Sequence, residues 1–164
     1  MATTAVTIEE YLSTDYEPDC DYVDGEIQER NVGEIDHSRL QLAIGSYFYT
    51  RRKDWGISAY TEQRVQVSPS RFRVPDVCVI LGEPADQILR TPPFVCIEIV
   101  SPEDRVSRTS EKIADYLRFG VPYVWVLDPK SRKAFRCTPG AMVEVTELRT
   151  ENPAMVVPLD ELFD

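Results

Sequence analysis

Two short runs near the middle of the chain are apolar at nearly every position. Residues 94–100 read FVCIEIV and residues 74–81 read VPDVCVIL. Runs of this length and composition, the first closed by Ser101-Pro102, predict strands buried on both faces. Each carries a single acid, Glu98 in one and Asp76 near the start of the other. A carboxylate in such surroundings must be paired, protonated or bound to a cation. Two strands with one acid each suggest a shared site.

The remaining pattern supplies the frame. Thr7 followed by Glu10 predicts a capping box and a short helix to about Ser13. Asp24-Gly25, between Tyr22-Val23 and Glu26-Ile27, predicts a tight hairpin. Residues 34–53 have helical spacing, with Ile35, Leu40, Leu42, Ala43, Ile44, Tyr47 and Phe48 as the apolar face, Asp36 or a neighbour as the cap, and Trp55-Gly56 as the stop. Strands follow over 57–60 and 64–67, then one over 73–81 that carries Asp76. Residues 82–93, with Pro84, Pro92 and Pro93, read as a loop. Residues 105–119 read as a helix with Ile113, Tyr116 and Leu117 inward, Lys112 at the edge of that stripe and Gly120 as the stop. Residues 123–127 (YVWVL) form another buried strand. Residues 132–137 and 142–146 pair across Thr138-Pro139-Gly140, and 159–163 make a closing helical turn. This order predicts one α/β domain over residues 1–164, a mixed central β-sheet flanked by α-helices. The stretch from Glu98 to Leu127 reads as a right-handed crossover unit.

Composition narrows the chemistry. The 164 residues are 43% hydrophobic and 28% charged, as expected of one globular domain with a sizeable core. No apolar stretch is long enough to span a membrane, and the N-terminus has no secretory pattern, so the cytoplasm is the expected compartment. Cys20, Cys78, Cys96 and Cys137 form no C-x-x-C pair and read as buried free thiols. His37 is the lone histidine, so a multi-histidine metal site is excluded; an oxygen site would favour Mg²⁺ or Mn²⁺ over Zn²⁺. The net charge of −10 argues against gripping nucleic acid by bulk electrostatics. Local basic groups remain as candidate patches: Arg51-Arg52-Lys53, Arg71/Arg73, Arg105/Arg108/Lys112 and Lys130/Arg132/Lys133.

Asp76 and Glu98 offer two hard oxygen ligands from neighbouring strands. A divalent ion held this way keeps bound water, from which a nucleophile can be made, and neutralises charge building on a phosphate. Lys112 adds a positive group that could orient that water or stabilise the transition state. On spacing alone, each acid reads equally as a structural hydrogen-bond acceptor.

The stretches RVPDVCVI, PPFVCIEIVSPEDR and EKIADYLRFGVPYVWVLDP, together with TIEEY and the DGE turn, resemble the Uma2 family of the PD-(D/E)xK nuclease superfamily. The resemblance implies a restriction-endonuclease-like core. Pro75-Asp76 supplies the PD element and Glu98 the acid of the second element. Val100 stands where the superfamily pattern has lysine, and the resemblance moves that role to Lys112 on the following helix, with Arg105 or Arg108 as substitutes. Glu26, in the DGE segment, is either a third acid at the metal or a hairpin-face residue. His37 is either a substrate-phosphate or proton-carrying group or a polar neighbour of the helix cap. The main-chain carbonyl of Ile99 is a candidate further ligand. Tyr116 and Trp125 read as core packing.

The expectation is a Mg²⁺- or Mn²⁺-dependent endonuclease acting on DNA, with RNA not distinguished from it, no membrane partner, and a homodimer to cut both strands. The competing expectation is a nuclease-fold module that no longer cuts and serves in binding or assembly.

Overall fold

The computed structural model describes residues 4–30, 33–101, 104 and 106–163. Pro102 and Arg105, named above, lie outside the described residues. In chain order the elements are α1 (Ile8–Leu12), β1 (Asp21–Val23), β2 (Glu26–Gln28), α2 (Ile35–Trp55), β3 (Ile57–Thr61), β4 (Val65–Ser68), β5 (Arg71–Arg73), β6 (Val77–Leu81), β7 (Val95–Ile99), α3 (Val106–Phe119), β8 (Tyr123–Asp128), β9 (Lys133–Thr138), β10 (Ala141–Val145), β11 (Glu147–Thr150) and β12 (Met155–Pro158), closed by a 3₁₀ turn at Leu159–Glu161.

The apolar runs lie at the centre of a six-stranded sheet of order β10-β9-β8-β7-β6-β3. The β7–β8 pair is parallel and the others are antiparallel, so the sheet is mixed. Its two faces follow from alternation along the strands. Val95, Ile97, Ile99, Trp125 and Leu127 pack with Leu40, Ile44 and Phe48 of α2. Cys96, Val124 and Val126 pack on the other face with Ile113 and Tyr116 of α3. Burial on both faces explains why these strands read as continuous apolar runs. The result is the expected α/β architecture, a mixed central sheet flanked by helices, with β7, α3 and β8 as its crossover.

A second sheet, of order β2-β1-β5-β4, stands beside the first with a cluster of its own around Tyr11, Tyr22 and Phe72. The Asp-Gly hairpin forms β1 and β2, and both turn residues have positive φ, Asp24 at 50° and Gly25 at 94°, as a primed turn requires. Thr7 and Glu10 make both bonds of the capping box.

The strand expected over 73–81 is two strands in two sheets. The chain leaves β5, passes through Val74-Pro75-Asp76 and enters β6. Pro75 has no N–H for a ladder and restrains Val74, whose own N–H is spent on the Asp21 carboxylate. Asp76 therefore precedes a strand rather than lying within one.

Other expectations are corrected in detail. α2 buries Leu40, Ile44 and Phe48, spaced four apart, but leaves Ile35 72% and Leu42 71% exposed on its outer side. Its N-cap is Glu34, two residues before Asp36, and Gly56 ends it, as expected, in the left-handed conformation. Arg71 and Arg73 are not an available basic patch: Arg73 is buried, and both pair with acids, Asp115 among them. The β9–β10 hairpin is present as expected, and a further hairpin, β11–β12, adds Leu148, Met155 and Val157 to the core. All four cysteines are free and buried.

Candidate active site

Strand register brings the two acids together. Val77 pairs with Ile97, so Asp76, one residue before, stands opposite Glu98. Glu98 lies on the face covered by α3, where it meets Tyr116. The Ile99 N–H donates to Asp76 Oδ2 at 2.7 Å and locks the two strand ends together. Asp76 is 2% exposed and Glu98 6%.

Cations and donors from three directions surround this pair. From α3, Lys112 Nζ lies 3.8 Å from Glu98 Oε2 and 3.4 Å from Asp21 Oδ2. One turn on, the Tyr116 hydroxyl donates to Glu98 Oε1 at 2.5 Å. From the segment after β2, Arg30 Nη2 pairs with Asp76 Oδ1. From the first turn of α2, His37 Nε2 lies 3.3 Å from the same oxygen. Gln41 donates to the Asp76 main-chain carbonyl at 3.0 Å. Behind them, Asp21 accepts from the Val74 N–H at 3.0 Å and from Arg73 Nη1 at 3.2 Å.

These surroundings drive the two carboxyls apart in acidity. Burial pushes Glu98 up to about 7, against the pull of Lys112 and with Asp76 adding to the rise. Burial also pushes on Asp76, but the His37 hydrogen bond and the Arg30 charge outweigh it and hold Asp76 below the usual range. His37 is raised by its hydrogen bond to Asp76. Burial pulls Lys112 down, but Glu98 and Asp21 more than restore it, so its ammonium stays charged. The acids and cations open on a cleft of about 330 Å³.

Comparison with known proteins places this geometry. The model of the Uma2 family, described as "Putative restriction endonuclease", matches residues 8–163. The chain belongs to the Uma2 family. A crystal structure of a "putative nuclease" from Anabaena variabilis superposes on this Uma2 chain with a TM-score of 0.79 at 24% identity, over 96% of this chain and 97% of that one. That likeness establishes a shared fold, and the family's description is that of a nuclease. No match is found among curated proteins.

Of the residues expected at the site, the fold gathers Asp76, Glu98, Lys112, His37 and Ile99 around one Uma2 cleft, with Arg108 also on its wall. Glu26 is left out: it is exposed on β2, opposite Val23, and the acid that this hairpin sends into the cleft is Asp21. Trp125 packs in the core on the other face of the sheet, as expected. Tyr116 packs in the core too, but its hydroxyl serves Glu98. Sequence reasoning passed over Asp21 and Arg30. Asp21 had a signal, an acid between Cys20 and Tyr22 at the start of a strand. Arg30 follows β2 outside any periodic pattern and had none.

The donors fit a hard divalent ion. Asp76 and Glu98 offer carboxylate oxygens, and Ile99 brings its main chain to the cleft. Among the described residues no group of three or more His, Cys, Asp or Glu side chains is placed to hold a metal. Mg²⁺ does not require one, since it retains several waters and is commonly held by one or two carboxylates with substrate phosphate.

Proposed function

We propose that this Uma2 chain is a metal-dependent endonuclease that hydrolyses phosphodiester bonds in DNA. The observation that carries the reading is the buried pair Asp76 and Glu98, facing each other at the sheet end with Lys112 on Glu98.

Asp76 and Glu98 would hold Mg²⁺ or Mn²⁺, with the Ile99 carbonyl as a further ligand. Bound there, such an ion would supply an activated water and neutralise charge on the phosphate. Lys112 stays protonated beside Glu98 and points a cation into the cleft, where it orients the attacking water and meets the charge that develops on phosphorus oxygens. Tyr116 fixes the Glu98 carboxylate from the opposite side. His37, beside Asp76 at 3.3 Å, is placed to contact a phosphate oxygen. Cutting both strands of a duplex takes two such sites, which a symmetric homodimer supplies. The proposed compartment is the cytoplasm. Among the described residues no helix is long and apolar enough to cross a membrane.

A specific observation favours a second reading, a non-cutting binding or assembly module. Asp21, Asp76 and Glu98 already face Arg30, Arg73 and Lys112, so the cluster is charge-compensated by the chain itself. The deciding experiment is cleavage of supercoiled and linear DNA, and of RNA, in Mg²⁺ or Mn²⁺ by wild type, Asp76→Ala and Glu98→Ala. The endonuclease reading expects cleavage by wild type alone. Equal cleavage by the variants would remove these acids from the mechanism, and no cleavage of any substrate would leave the module.

A further inference from the structure

Three donors crowd Asp76, and one of them is a fixed positive charge. Its Oδ1 accepts from Arg30 Nη2 and lies 3.3 Å from His37 Nε2, and its Oδ2 accepts the Ile99 N–H. A carboxylate oxygen has two lone-pair positions, so Oδ1 is filled by these two donors. The Ile99 bond belongs to the strand junction and cannot leave without unzipping it. Arg30 has somewhere else to go. Its other arm, Nη1, reaches Glu62 Oε1 at 3.5 Å, a half-exposed carboxylate, and the guanidinium forms part of the cleft wall. It is also a planar fork that suits phosphate as well as carboxylate.

We propose that Arg30 is a built-in competitor for the metal at Asp76, and that it exchanges Asp76 for a substrate phosphate when metal and nucleic acid bind together. This rests on the reading of Asp76 and Glu98 as the metal pair. A divalent cation beside Asp76 is repelled by the guanidinium, and Glu62, half-exposed and 3.5 Å from Nη1, offsets that charge only weakly. A phosphate in the cleft offers a second anion. Metal binding is therefore weak in the free protein and strengthened by the polyanion, and by linkage the metal strengthens polyanion binding by the same factor. Without its nucleic acid, the protein is guarded against picking up stray divalent ions.

The test is Mn²⁺ titration calorimetry on wild type, Arg30→Gln, Arg30→Lys and Glu98→Ala, each without nucleic acid. Arg30→Gln is expected to bind Mn²⁺ about tenfold more tightly than wild type, Arg30→Lys to stay near wild type because the charge is retained, and Glu98→Ala to lose binding. Unchanged or weaker binding by a folded Arg30→Gln, with Glu98→Ala failing to bind Mn²⁺, overturns the competitor and leaves the metal pair standing. Mn²⁺ binding that ignores Glu98 overturns both. A second measurement needs no variant: Mn²⁺ affinity of wild type with a short duplex whose linkages are uncleavable phosphorothioates. The expected result is about tenfold tighter Mn²⁺ binding in its presence. Mn²⁺ affinity indifferent to the duplex overturns the exchange, whatever the fate of Arg30→Gln.

Discussion

Lys112 and Tyr116, one turn apart on α3, close on opposite oxygens of one carboxylate, Nζ at 3.8 Å from Glu98 Oε2 and the hydroxyl at 2.5 Å from Oε1. Side chains four apart share a helix face, so the orientation of α3 on the sheet sets both contacts at once. Replacing Tyr116 with Phe keeps the packing and removes only the donor. A buried carboxylate oxygen then loses its partner, at a cost of about 1–3 kcal/mol. Urea unfolding of the variant measures this, and an unchanged midpoint would show that the hydroxyl carries no stability.

Lys112 separates positioning from chemistry. Replacing it with Met removes the charge while keeping most of the stem. Cleavage is expected to fall by about 10²–10³-fold, the scale of losing one electrostatic group in a transition state. Mn²⁺ binding should persist, because the carboxylates remain. Loss of metal binding in this variant would make Lys112 a structural partner of the acids instead.

Glu98 gives the metal-free protein a pH signature. Burial raises its carboxyl from 4.5 to about 7. Between those values the folded state holds a proton that the unfolded chain has released, so this group's contribution to stability falls as pH rises through the window. The loss is up to about 3 kcal/mol and is complete above the folded value. Glu98→Gln, which retains an acceptor for Tyr116, removes that slope. In EDTA the variant should gain on wild type from pH 4.5 to pH 8 in denaturant titrations. Parallel curves would mean that Glu98 is ionised throughout.

Arg73 joins Asp21 at 3.2 Å to Asp115 at 2.7 Å, and its side chain is 1% exposed. Replacing it with Met leaves two buried acids short of a counter-charge, a change that costs about 3–5 kcal/mol when a buried pair is broken on one side. Thermal and urea unfolding should both show it. A loss under about 1 kcal/mol would place water among these groups.

Much of the frame was legible because it rests on local rules. Apolar runs marked β6, β7 and β8, Asp24-Gly25 marked the hairpin, and Thr7 with Glu10 marked α1. Asp76 and Glu98 stood out because each broke an apolar run. What stayed hidden depends on distance along the chain. Arg30 meets Asp76 across 46 residues, and nothing near Arg30 announces that partner. β5 was fused with β6 because apolar residues continue through Pro75, and only pairing with β1 and β4 reveals the break. Ile35 and Leu42, seven apart, share the outer side of α2, where apolar character gave no hint of exposure. For Glu26 the two readings stayed open because the DGE resemblance is local: Glu26 sits at the turn end of the hairpin, two residues short of Gln28, where the strand reaches the cleft.

The passage Val74-Pro75-Asp76 hands the chain from one sheet to the other, and β4 of the small sheet sends Val65 and Val67 into the core that α3 forms with the large one. The cleft thus lies along a seam that a shared core clamps shut. Asp21 and Arg73 travel with one, Asp76 and Glu98 with the other, and the contacts among Lys112, Arg30 and these acids are struts across the joint. Tilt of one sheet against the other would have to open that shared core as well as break the struts. Alignment of the reacting groups is therefore a mechanical property of the seam, held from a distance by packing as much as by charge.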